Sequence, residues 1–362
     1  MALRNYLSRP WLWLYGFLFF SLAIAYPLGR LLETTVPSIA IPLIVIGGYW
    51  LAIILYMGMM LLLIEILRLI HRFKPFIPVS WTENRKTPLF LTITVVALTA
   101  LIILYGSWNA HNPRITSYEI PIAKSAGPLE ELKIVVVSDL HLGNIVKNDR
   151  LLKMVNMVKE LDPDLILLPG DIIDEDPGPF AEQDMKATFG KLNPPYGIFA
   201  ALGNHEYIGG HWEDIIVHLE EAGVTVLQDE YKKVDDRFYI VGRDDRSRHH
   251  FAGSARKSLA EVMTDVEQGL PILLMDHQPL DLEEAVEQGV DLQVSGHTHR
   301  GQLFPFNFVT HFMFETDWGH LKKGDSNFVV STGYGTWGPP IRTGNWPEVV
   351  EITLYFGKVR EE

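Results

Sequence analysis

The chain has no cysteine among its 362 residues, which excludes disulfides and thiolate-held zinc and leaves the redox character of its compartment unread. It is also short of negative charge at one end: up to residue 110 the only acidic side chains are Glu33, Glu65 and Glu83. Beyond that point lie 41 of the 44 acidic and 23 of the 31 basic residues, a formal charge of −18. Such an acidic body disfavours nucleic acid, whose binding draws on basic patches that neutralise phosphates. A small phosphorylated substrate held through metal ions stays open, because the ions bring positive charge locally. There is no internal repeat and no low-complexity tract.

What is present begins with three apolar runs, residues 11–28, 39–63 and 89–108, each near the roughly 20 residues that cross a bilayer as a helix. The second is loosened at its start by Pro42 and Gly47-Gly48 and extends toward Ile70, so its span is placed at 39–66. The first also has the parts of a signal peptide, with Arg4 and Arg9 ahead of an apolar stretch and Ala23-Ile24-Ala25 after it, but the apolar run continues past those small residues. A buried core is the plain alternative for the whole region, and the nearly charge-free lengths argue against it. Lys and Arg enrich short cytoplasmic loops. Arg4 and Arg9 precede the first run, only Arg30 follows it, and Arg68, Arg72, Lys74, Arg85 and Lys86 separate the second from the third. The order in, out, in, out puts everything after Trp108 on the extracytoplasmic side, which for a bacterial inner-membrane protein is the periplasm.

The expected organisation is therefore a transmembrane anchor over 1–110, a linker or first edge strand over 111–131 marked by Pro113, Pro121 and Gly127-Pro128, and a soluble domain over 132–362. Residues 132–137 form a buried-strand pattern, 151–161 have helical spacing and stop before Asp162-Pro163, and 165–168 form the next strand. This is a β-α-β unit with parallel strands. Further strands are expected at 198–202, 224–227, 238–241, 272–275, 292–295, 328–331 and 349–354, with helices at 214–222 and 258–268. The pattern predicts an α/β fold of two packed sheets covered by helices.

Five polar segments follow strand patterns directly: Asp139-Leu140-His141, Gly170-Asp171-Ile172-Ile173-Asp174, Gly203-Asn204-His205-Glu206, Asp276-His277-Gln278 and Gly296-His297-Thr298-His299. Ligands of open α/β sheets collect at the carboxyl ends of strands, so these distant residues can converge there. Asp139 and His141, two apart on an extended segment, would grip one ion together. Asp171 follows a glycine at a turn, where its two oxygens can bridge two ions. Asn204 adds an amide oxygen, and His277, His297 and His299 add imidazoles that bring no negative charge. Two ions about 3.5–4 Å apart can hold a bridging hydroxide and stabilise in-line displacement at phosphorus. His205 is left as a non-ligand beside the phosphoryl group, stabilising charge or protonating the leaving oxygen. Asp174 and Glu206 read as orienting a ligand or capping a helix. His211, His218, His249, His250, His311 and His320 fall outside the motifs and read as ordinary polar residues.

Taken together, these motifs over residues 132–354 resemble the calcineurin-like metallophosphoesterases, in particular a membrane-associated bacterial branch related to the YkuE-type phosphoesterases. The resemblance implies a four-layer αββα sandwich and two divalent ions, usually manganese, iron or zinc. It implies Asp139, His141, Asp171 and His299 at one ion, Asp171, Asn204, His277 and His297 at the other, and His205 as the catalytic histidine. The branch commonly follows Gly-His-Thr-His with two glycines, whereas here Arg300 precedes Gly301. Arg300 reads as a phosphate contact or a plain surface arginine. The stretch 333–342 also resembles the branch, and Arg342 reads as a phosphate contact or the partner of an acid. The aromatic stretch 301–318, with Phe304, Phe306, Phe308, Phe312, Phe314 and Trp318, reads as a loop that covers the core or as a lip dipping into the membrane interface.

The expected function is a membrane-anchored, two-metal phosphohydrolase acting on a phosphodiester or pyrophosphate of a lipid or lipid-linked headgroup, with the bilayer and a phosphorylated substrate as its partners. A phosphomonoesterase or nucleotide hydrolase on a simple tether is the alternative. A non-catalytic metal-dependent sensor would show a missing ligand, and none is missing. A transporter is opposed by spans with no intramembrane charge beyond Glu65.

Overall fold

The computed structural model describes residues 8–33 and 35–357, so Arg4 of the charge pattern lies outside the described residues. Two compact units emerge, residues 1–108 with 337–341 and residues 109–336 with 342–362.

The first unit holds helices Arg9–Leu32, Pro37–Phe73 and most of Thr87–Ala110. Each is long and apolar enough to cross a membrane. The second runs through Pro42 and Gly47-Gly48 without a break and reaches Phe73, beyond the expected end at 66. Glycines of both helices serve packing: a Cβ on Gly47 of the second would fall 2.6 Å from Tyr26 Cα, and one on Gly29 of the first would fall 2.8 Å from the Ile44 backbone nitrogen. Ala25, Gly29, Ala40, Gly47 and Ala52 are buried, a seam of small residues that brings the first two helices close. Tyr49 Oη lies 2.6 Å from Ser107 Oγ and ties the second helix to the third.

The second unit is built on twelve strands: β1 (Arg114–Ile122), β2 (Glu131–Val136), β3 (Leu165–Pro169), β4 (Ile198–Ala201), β5 (Val224–Val226), β6 (Glu230–Val234), β7 (Phe238–Gly242), β8 (Ile272–Met275), β9 (Leu292–Ser295), β10 (Gly319–Lys323), β11 (Ser326–Val330) and β12 (Glu348–Phe356). They form two six-stranded mixed sheets, ordered β1-β12-β2-β3-β4-β5 and β10-β11-β9-β8-β7-β6. Strand alternation assigns each side chain to a layer. Ile134, Leu165 and Leu167 face Ile240, Leu273 and Val294 across the gap between the sheets. Val135, Ile166 and Leu168 point the other way, onto Leu151, Val155 and Val158 of helix Asn148–Leu161. Tyr239, Val241 and Leu274 pack outward against Leu259, Val262, Leu282 and Ala285. The result is four layers, αββα.

Residues 114–122 take the edge-strand alternative of the sequence reading: β1 pairs in parallel with β12 along its whole length and buries Ile120 and Ile122. Three elements differ from that reading. Strands β6 and β10 are edges with Glu-Tyr-Lys-Lys-Val and Gly-His-Leu-Lys-Lys, polar runs that hide a strand while discouraging edge-to-edge pairing. The helix expected at 258–268 is only Leu259–Val262: the Thr264 hydroxyl donates to the Ala260 and Glu261 carbonyls, offering the backbone a competing arrangement.

Leu167 is fully buried between the sheets. Leu167→Ala is expected to destabilise the fold by about 2–5 kcal/mol, visible as a lowered thermal midpoint of the detergent-solubilised chain. An unchanged midpoint would contradict the placement.

Candidate metal centre

All five motif segments emerge at the carboxyl ends of their strands, after β2, β3, β4, β8 and β9. Asp139 and His141 are not extended as the sequence suggested: they lie in the left-handed region at φ 52° and 48°, as do Asp171 at 52°, His297 at 68° and His299 at 44°. The chain thus curls back after β2, β3 and β9, turning both Asp139 and His141 inward while Leu140 between them is buried in the outer core. Backbone strain of this kind persists where the surroundings over-determine it.

The side chains gather in two adjacent nests. In the first, Asp139 Oδ1 lies 3.4 Å from His299 Nε2, and His299 Nε2 lies 3.0 Å from His141 Nε2. In the second, Asn204 Oδ1 lies 2.8 Å from His297 Nδ1 and 3.2 Å from His277 Nε2. Asp171 Oδ2 stands between them, 3.2 Å from His277 Nε2 and 3.9 Å from His141 Nε2. The donor set fits divalent cations: two carboxylates, an amide oxygen and four imidazoles converge with little access to water, and the ring nitrogens of His141 and His299 face each other at a distance that a shared cation would relieve.

A surrounding shell fixes each ligand. Ser138 Oγ donates to Asp139 Oδ2 at 2.6 Å, and the His297 amide donates to Asp139 Oδ1 at 2.9 Å. His277 Nδ1 donates to the Pro169 carbonyl at 2.8 Å, which aims Nε2 at the nest. Glu206 is not a ligand. Its fully buried carboxylate accepts the amides of Gly203, Asp171, Ile172 and Ile173 at 2.6–3.0 Å, and burial with Asp171 nearby pushes its pKa up to about 6. Gly170 and Gly203 make room: a Cβ on Gly170 would fall 2.6 Å from His277 Nδ1, and one on Gly203 would strike Asp171 Oδ1.

Burial works against the charge of Asp171, yet His277, His205 and His141 hold its pKa well below the carboxylate range. Burial, His141 and Arg342 keep His299 neutral, the form in which imidazole ligates. His205 is not among the converging donors of the two nests. Its Nδ1 lies 3.0 Å from Asp174 Oδ1, and although burial opposes its charge, Asp171, Asp174 and Glu175 lift its pKa to about 9. Asp174 also lies 3.3 Å from His141 Nδ1, so one carboxylate orients a candidate ligand and the candidate catalytic histidine.

The two arginines separate. Arg300 is half-buried with its guanidinium 4.4 Å above the Trp318 ring. Arg342 is fully buried, donating to Gly335 O, Thr332 O and Asn345 Oδ1, and its Nη2 packs 3.1 Å from His299 Nδ1. With the guanidinium held inside the protein, the substrate contact expected of it gives way to fixing Asn345 and the ring of His299. Asn345, which donates to the His299 carbonyl, had no signature in the sequence. Asp276 was visible as part of a motif but not its partners: it is buried between Arg256 at 2.9 Å and Arg243 at 3.4 Å, which hold the His277 loop from behind.

A two-sheet αββα sandwich with a carboxylate shared between two histidine nests defines the metal-dependent phosphoester hydrolase class. Residues 132–301 match the family described as calcineurin-like phosphoesterase. A protein of Aquifex aeolicus named an uncharacterized metallophosphoesterase is 34% identical over 261 residues, covering 71% of this chain and 97% of its own. The YkoQ metallophosphoesterase of Bacillus subtilis is 27% identical over 273 residues, 72% of this chain and 97% of its own. A Danio rerio protein named transmembrane protein with metallophosphoesterase domain is 30% identical over 282 residues, 73% of this chain but 62% of its own length. The chain belongs to the calcineurin-like phosphoesterase family.

Replacing Arg342 by lysine keeps a positive charge but removes the planar fork. Arg342→Lys is expected to weaken metal binding roughly 10-fold or more, read by elemental analysis after dialysis. Full retention of metal would show that His299 needs no such support.

Proposed function

We propose that this chain is a membrane-anchored phosphohydrolase with a dinuclear metal centre on the extracytoplasmic side. Its substrate is a phosphodiester or pyrophosphate of a lipid or lipid-linked headgroup. The observation that carries the dinuclear reading is the position of Asp171 Oδ2 between the two nests. Asp139, His141, Asp171 and His299 would hold one ion and Asp171, Asn204, His277 and His297 the other. When bound, manganese, iron or zinc ions there supply positive charge and an activated water for in-line displacement at phosphorus. The protein's part is to place the donors, exclude bulk water and leave the cage cationic enough to take an anion. His205, fixed by Asp174 at 3.0 Å, carries the proton to the leaving oxygen or stabilises charge on the phosphoryl group. Arg300, half-buried and stacked on Trp318, would meet a substrate phosphate.

Three observations support the lipid reading: the three apolar helices, the Lys and Arg pattern between them, and the exposed aromatic residues that follow His299. The test uses the full chain in detergent with a lipid phosphodiester, a lipid-linked pyrophosphate and a soluble aryl phosphate side by side. Preference for the lipid compounds is expected, and preference for the aryl phosphate would favour a phosphomonoesterase on a tether. Chelation should abolish turnover of every substrate, and divalent ions should restore it. Asp171→Ala and His297→Ala should lose hydrolysis while remaining folded, and full activity in either would refute the ligand assignment. His205→Ala should keep its metal and slow by roughly 10²-fold or more; unchanged rates would remove His205 from the chemistry.

A further inference from the structure

Residues 301–318 are not an irregular core cover. They contain helix Phe306–Met313, Phe-Asn-Phe-Val-Thr-His-Phe-Met, in which no residue is buried. Phe308, Val309, Phe312 and Met313 are 55, 49, 86 and 66% exposed, and their spacing puts them on one stripe of the helix. Phe304 and Phe306 extend that surface. A soluble face seldom leaves so many large apolar side chains contiguous and in water without a partner.

The hydrogen bonding around this surface says what the partner is. Asn109, in the last turn of the third apolar helix, is buried and donates to the carbonyls of Asn345 at 2.6 Å and Arg342 at 3.0 Å. The same short segment holds the entry to the aromatic helix, since the Phe304 amide donates to Thr343 Oγ1 at 3.0 Å and the Thr343 and Gly344 amides donate to Gln302 O at 3.0 Å. One hydrogen-bonded stretch, 342–345, therefore links Asn109, where the second unit begins, to the entry of the aromatic helix. The other side of the stripe is fastened to the site. Phe314 packs edge-on to His297 with ring centroids 6.1 Å apart, and Asp317 accepts from Thr310 of the helix at 2.6 Å while its carbonyl accepts from Thr298 at 2.7 Å.

We propose that helix Phe306–Met313 is an interfacial helix that seats its apolar stripe in the lipid surface and so opens the metal centre toward substrates embedded there. The helix carries no Lys or Arg, so its seating draws on apolar burial and not on anionic lipid. This inference rests on the membrane reading above and deepens its lipid substrate class.

The cysteine-free chain allows a direct test. Full-length Phe312→Cys, and Glu220→Cys on the exposed side of helix Trp212–Glu221 as an aqueous reference, are spin-labelled and placed in phosphatidylcholine bilayer discs. The label at 312 is expected to meet dissolved oxygen and be shielded from an aqueous nickel chelate, with the opposite behaviour at 220. A label at 312 that the nickel chelate reaches freely would overturn the proposal, and so would one shielded from both relaxants, which reports cover by a second copy or another protein. As a functional arm, Phe308→Glu combined with Phe312→Glu should lower hydrolysis of a bilayer-embedded phosphodiester at least about tenfold and leave soluble aryl phosphate turnover unchanged. Equal bilayer rates in variant and parent would overturn the link to substrate access. Failure of the parent on both substrates would count against the metal-site reading alone, because the label depth is measured without turnover.

Discussion

One carboxylate governs the architecture of this site. Asp171 must present a single oxygen to imidazoles of two nests at once, and little in the neighbourhood is free to vary as a consequence. Its backbone is held in the left-handed region, the adjoining loops carry Gly170 and Gly203 because any Cβ would collide with His277 or with Asp171 itself, and a second buried carboxylate, Glu206, clamps the turn by four amides. Burying Glu206 there, with Asp171 close by, is electrostatically unfavourable, and both raise its pKa. Local hydrogen bonds and ring charge offset that cost, and two bound cations would offset it further.

The sandwich explains how donors more than 150 residues apart come within hydrogen-bond distance. Strands β2, β3 and β4 of one sheet run parallel to one another, as do β8 and β9 of the other, so their carboxyl ends share a rim on each sheet. Face-to-face packing of the two sheets through Leu167, Ile240 and Val294 then sets one rim beside the other. Asp139, Asp171 and Asn204 come from the first sheet and His277, His297 and His299 from the second, so each nest is completed only when the sheets pack. Formation of the site and formation of the inter-sheet core are in that sense one event.

The sequence made the candidate ligands legible because each sits at the same offset from an unmistakable apolar run, a pattern that survives ignorance of how those runs pack. It was weaker wherever a residue works through burial without periodicity. Arg342 looked like a phosphate contact because arginine beside a phosphoesterase motif commonly is one. Only three-dimensional placement shows its guanidinium held among Gly335, Thr332, Asn345 and His299. Asn345 and Ser138 are small polar residues of ordinary loops and left no trace. Strand β1 was ambiguous because Pro113 and Pro121 read as linker punctuation, whereas an edge position tolerates proline. The aromatic stretch was conspicuous in composition, but its helix was not, since Phe-rich runs carry little intrinsic helical signal.

Arg342 and Asn345 tie the candidate site to the first residues of the second unit. Both touch His299, and the backbone carbonyls of both are held by Asn109 at the end of the third apolar helix. Arg150 closes the same junction from the other side, donating to the Ala110 and Tyr334 carbonyls at 2.8 and 3.1 Å. The helix end is thus secured by side-chain donors to buried carbonyls, groups that would otherwise stand unsatisfied in a water-poor interior.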